Sequence, residues 1–95
     1  LLPITSHDCI GPVALWSAAH LMLHIPNAMI METVRAYYDG WYQDVMTEAI
    51  PIREGMITLP EKPGLGVALR EEVLSRPDAH MEYSDEKHRI DMSKG

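Results

Sequence analysis

The chain has one cysteine, Cys9, in 95 residues. That excludes an internal disulfide and fits a reducing, cytoplasmic compartment. Positive charge is scarce: eight Lys and Arg stand against 14 Asp and Glu, for a net charge of −6. The basic residues are scattered and form no patch, which argues against a nucleic-acid or anionic-membrane surface. No apolar run reaches the roughly 20 residues of a membrane span. The longest, near Val13 to Ile25, is too short and carries His20 and His24. No internal repeat is present. Apolar content of 46% is nonetheless enough for a core, so disorder is excluded.

The informative stretch is Leu2 to Thr33, which reads as strand, turn, helix, turn, strand. Leu2-Pro3-Ile4-Thr5 is a short apolar run suited to a buried strand, with Ser6 at its exit. Asp8 to Gly11 supply turn chemistry. Pro12 suits the first helical position, where a missing N–H costs nothing. Val13 to about Ile25 is helical in pattern, and Pro26-Asn27 stops it. Ala28-Met29-Ile30-Met31 is the next apolar run. Two such strands joined by a helix predict a parallel sheet covered on both faces. Both strands then run the same way, and His7 and Glu32 arrive at one edge of the sheet. In α/β folds the carboxyl ends of the strands are where chemistry gathers.

Thr33 to about Ala49 is aromatic-rich and broken by Asp39-Gly40, which predicts a short helix or loop and then a second short helix. Ile50 to Leu59 alternates around Glu54-Gly55 and predicts a small hairpin. Pro60 to Gly66 is a turn segment. Arg70 to Leu74 is a short helix, and a polar tail follows about Tyr83. Two parallel strands do not close a sheet, and the chain opens at Leu1 almost directly into a strand. The expectation is a piece of a larger protein, truncated or cut, with strand edges exposed.

SHDCIGPVALWSAAHL, then PNAMIMET, then EGMITLPEKPGLGVAL resembles the C-terminal end of a mandelate racemase-type enolase-superfamily enzyme. Within that group the similarity is greatest to the acid-sugar (galactonate-type) dehydratases. The ordered combination carries the resemblance: His7 ending a strand, GPV opening a helix, PN before the next strand, Glu32 ending it, PGLG afterwards. It implies an α/β fold: the last two strands, with their helices, of a (β/α)8 barrel over residues 1–49. A return segment packing on a capping domain would occupy 50–83, and a polar tail 84–95. The implied chemistry is a Mg²⁺-dependent lyase that removes the proton beside a substrate carboxylate, giving an enediolate, and eliminates water. His7 matches the general base and Glu32 the acid that hydrogen-bonds the enediolate oxygen; Asp8 is a candidate substrate contact. The Mg²⁺ ligands belong to earlier strands, so no metal is expected within this segment, which alone should be inactive. The implied partners are a small sugar-acid substrate and the rest of the barrel and cap, in a homo-oligomer.

Each residue has a plainer reading. His7 could be a capping loop histidine, and Glu32 an ion-pair partner of Arg35. His20 and His24, four apart on a helix, have the spacing of a metal pair, but core histidines are the expectation. Asp8 and Cys9 could be structural loop residues. The aromatic cluster from Tyr37 to Tyr42 is expected in helix-to-barrel packing, and Glu71-Glu72 on a solvated helix face. The same scaffold also supports a racemase or epimerase of hydroxy acids. Two readings of another class are a non-catalytic truncated piece and a small independent binding domain.

Overall fold

A computed structural model describes residues 2–82 of the chain. Strand β1 (Ile4–His7) leads through a turn to helix α1 (Pro12–His24), then to strand β2 (Ala28–Glu32). Pro12 opens the helix as its pattern requires, and the chain leaves it at Ile25 in extended conformation, just before Pro26. The preference of a pre-proline residue for extended backbone accounts for that stop. β1 and β2 pair in parallel.

Two short helices follow, α2 (Arg35–Tyr38) and α3 (Tyr42–Val45), separated at Asp39-Gly40. A Cβ at position 40 would collide with the Ala36 carbonyl oxygen, so glycine is required there. Strands β3 (Ile52–Arg53) and β4 (Met56–Ile57) form the predicted hairpin. Its two turn residues, Glu54 and Gly55, have φ of 52° and 74°. Positive φ at both matches a twisted two-residue hairpin loop. A 3₁₀ turn at Glu71–Val73 stands where a short helix is expected. The polar tail from 84 lies outside the described residues.

The core is small and built on one stripe of α1. Leu15, Trp16, Ala19 and Met22 are buried, and Tyr42 and Met46 complete it from α3 and its exit. Leu15, Trp16, Tyr42 and Met46 line one narrow gap between the two helices. Residues after the hairpin strap this core. Thr47 N–H donates to Ala68 O at 2.8 Å, Arg70 N–H to Val45 O at 2.8 Å, and Arg70 Nε to Met46 O at 2.9 Å.

The strands differ from the sequence expectation. They are largely exposed, not buried, with Met29 at 71% and Ile30 at 62%. The half-buried strand positions are Ser6 and Met31, register partners on one face. The opposite face, carrying Thr5, His7, Ile30 and Glu32, is open. A single helix covers one face of a two-stranded sheet, so the doubly covered arrangement is not reached within these residues. The free side of β2 borders an apolar groove of about 700 Å³, bounded by α1 and the hairpin.

Candidate active site

His7 and Glu32 end β1 and β2 and are direct partners in the parallel register. His7 Nε2 lies 3.7 Å from Glu32 Oε1, with the side chains 55% and 70% exposed. That register is not the simple continuation of the strand start. Ile4 pairs with Ala28, but Thr5 pairs with Ile30, so β2 gains one residue at Met29. Without the shift His7 would stand opposite Met31. With it, pleat alternation puts Thr5, His7, Ile30 and Glu32 on one face. At 3.7 Å the pair is too far apart for a good mutual hydrogen bond, yet one substrate atom can sit within about 3 Å of both groups. An imidazole and a carboxyl so placed can take up and deliver a proton at neighbouring atoms of a substrate.

One residue beyond the pair, the strand ends are tied together. Asp8 N–H donates to the Glu32 carbonyl at 2.8 Å. The Asp8 side chain is turned inward, 3% exposed. Its Oδ2 accepts from Thr33 Oγ1 and from Tyr42 OH, both at 2.9 Å. Its Oδ1 accepts from the backbone N–H groups of Ile10 at 3.3 Å and Gly11 at 3.4 Å, closing the turn into α1. The Asp8 carboxylate is thus engaged by four donors within this segment, because burial in a polar pocket requires its hydrogen-bonding capacity to be met internally.

Tyr42 answers to the same pocket. Burial, and then the hydrogen bond and charge of Asp8, push its phenol up from 10.0 to about 12. It stays a neutral donor at physiological pH. Trp41 packs edge-on against its ring at 4.5 Å between centroids. Thr33 and Tyr42 are the site-shaping residues that sequence reasoning missed. The aromatic cluster was visible, but nothing local marks Tyr42 as the member that reaches Asp8 across 34 residues.

The remaining expectations resolve by position. Glu32 does not pair with Arg35, which instead meets Asp39 at 3.3 Å. His20 is half-buried and its Nε2 contacts the Leu65 carbonyl at 2.7 Å, pinning the PGLG turn to α1. His24 is exposed, not in the core; its Nδ1 lies 2.6 Å from the His20 carbonyl oxygen. Cys9 is exposed. Among the described residues no three His, Cys, Asp or Glu side chains converge as a metal site, and no helix is long and apolar enough to cross a membrane.

Residues 2–73 match the family model described as enolase C-terminal domain-like. The chain belongs to that family. The curated relatives it resembles include the D-xylonate dehydratase of Haloferax volcanii, 34% identical over 84% of this chain and 18% of that protein. Another is the D-gluconate dehydratase of Thermoproteus tenax, 26% identical over 77% of this chain and 15% of that protein. Among solved structures, a mandelate racemase-subgroup enolase from Agrobacterium tumefaciens superposes with a TM-score of 0.67 at 44% identity, over 75% of this chain and 19% of that one. The resemblance read from the motifs is thereby supported: mandelate racemase-type enolases and sugar-acid dehydratases are the relatives of this α/β segment. This enolase-like chain spans less than a fifth of the length of the curated relatives it matches.

Proposed function

We propose that the chain supplies the last two strands of a (β/α)8 barrel in a sugar-acid dehydratase, with residues 50–83 returning toward a capping domain. The observation that carries this reading is the His7–Glu32 register pair at the carboxyl ends of parallel strands. The open strand faces and the short span against the relatives agree with a barrel completed by other segments. His7 Nε2 takes the proton from the carbon beside the substrate carboxylate. The C–H electron pair moves into the carboxylate, and Glu32, the acid that the resemblance implies, hydrogen-bonds the oxygen where charge develops. The neighbouring C–O bond then breaks as the C=C bond forms. The departing hydroxide leaves as water, protonated by an acid outside this chain.

A Mg²⁺ ion requires near-octahedral oxygen ligands. His7 and Glu32 offer one nitrogen and one carboxylate, and Asp8 is engaged elsewhere. The residues present do not fit that ion, and its ligands would come from the other segments.

The test is a chimera in which this segment replaces its counterpart in the Haloferax volcanii D-xylonate dehydratase. The chimera should exchange the substrate α-proton with deuterated solvent, and His7→Asn should lower exchange about 10²–10⁴-fold. Exchange that is indifferent to His7→Asn would refute the role of the imidazole.

A further inference from the structure

We infer that Asp8 is a positioning residue of the His7–Glu32 pair, with Thr33 and Tyr42 as the donors that hold its carboxylate; this inference rests on the function proposed for that pair. Among the described residues neither His7 nor Glu32 has another side-chain ion-pair or hydrogen-bond partner, and both are exposed. Within this segment, what fixes the strand ends that carry them is therefore the backbone beneath them. That backbone is clamped one residue further on. Asp8, which follows His7, is bonded both to Glu32 itself and to Thr33, which follows Glu32. The Asp8 N–H reaches the Glu32 carbonyl at 2.8 Å, and the Thr33 hydroxyl reaches Asp8 Oδ2 at 2.9 Å.

The clamp is also referenced to the core. Tyr42, buried on α3, donates to the same Oδ2 at 2.9 Å. Oδ1 accepts from the N–H groups at the entry to α1. One buried carboxylate thus joins the exits of both strands, the start of the covering helix and the helix that completes the core. Hydrogen bonds to such a group are stiff, because breaking any one of them leaves a buried oxygen underpaired. Losing the reference should let the pair drift, and a misplacement of about 1 Å is enough to cost about 10²-fold in rate.

The test is made on the 95-residue chain by NMR and needs no turnover. The readout is the nuclear Overhauser effect between the His7 ring and the Glu32 γ-protons. Because the effect falls with the sixth power of the proton–proton distance, a drift of about 1 Å weakens it several-fold. Thr33→Val and Tyr42→Phe should each show this loss while the Trp16 and Met46 resonances stay dispersed. Thr33→Ser, which keeps the donor, should restore it. An unchanged effect in Thr33→Val and Tyr42→Phe overturns the inference. So does a general loss of core dispersion that Thr33→Ser does not rescue, since Asp8 would then only hold the fold. Because the proton-exchange assay tests the chemistry and this one tests the geometry, either idea can fail without the other.

Discussion

Removing the phenolic oxygen of Tyr42 gives the sharpest energetic test of the buried network. Tyr42→Phe keeps the ring, and with it the edge-on packing against Trp41. It deletes one donor to a carboxylate that is 3% exposed. A hydrogen bond to a charged group is worth about 1.5–3 kcal/mol, and the orphaned oxygen has no solvent to turn to. Urea unfolding at pH 7, followed by circular dichroism, should therefore show a loss of about 1.5–3 kcal/mol. The alkaline limb provides a second, independent sign. The folded phenol titrates at about 12 against 10.0 for the free group. The unfolded chain thus releases this proton first as pH rises, so the contribution is complete below pH 10 and disappears as pH climbs through about 12. With solvent screening the loss over that window is about 1–2 kcal/mol. The Phe variant should lack this component of the alkaline decline. A variant as stable as the parent at pH 7, or one with an identical alkaline limb, would show that Asp8 does not depend on Tyr42.

Two further outcomes test the frame. Leu15 is fully buried against Trp16, Tyr42 and Met46, so Leu15→Ala should cost about 2–5 kcal/mol in the same unfolding assay; a loss below about 1 kcal/mol would mean that the α1–α3 contact is not the core. Glu54 holds a φ of 52° ahead of Gly55, a conformation that suits Asn far better, and Glu54→Asn should raise stability by about 0.5–1 kcal/mol; a decrease would place the strain elsewhere.

The local elements follow closely from residues that act locally. Pro12 and Pro26 bracket α1, Asp39-Gly40 divides α2 from α3, and Glu54-Gly55 turns the hairpin. Each of these signals restricts backbone torsions within a few residues, so it can be read without knowing what lies across the fold. The apolar strands were the exception. Their composition implies burial on both faces, but among the described residues one helix covers one face and the other stays open.

The candidate site divides along the same line. That His7 and Glu32 reach one sheet edge follows from strand–helix–strand order alone, because a helical crossover returns the chain in the same direction. That they are register partners does not: the run Ala28-Met29-Ile30-Met31 has no alternation to set a phase, and only the pairing itself shows the extra residue at Met29. The inward turn of Asp8 is more remote still, since its side-chain partners lie 25 and 34 residues away. Sequence by itself determined the order of elements, the helix limits and the edge on which an imidazole and a carboxyl meet. Tertiary structure decided their register, their spacing and which carboxylate is buried, because those depend on hydrogen bonds between segments that no local propensity brings together.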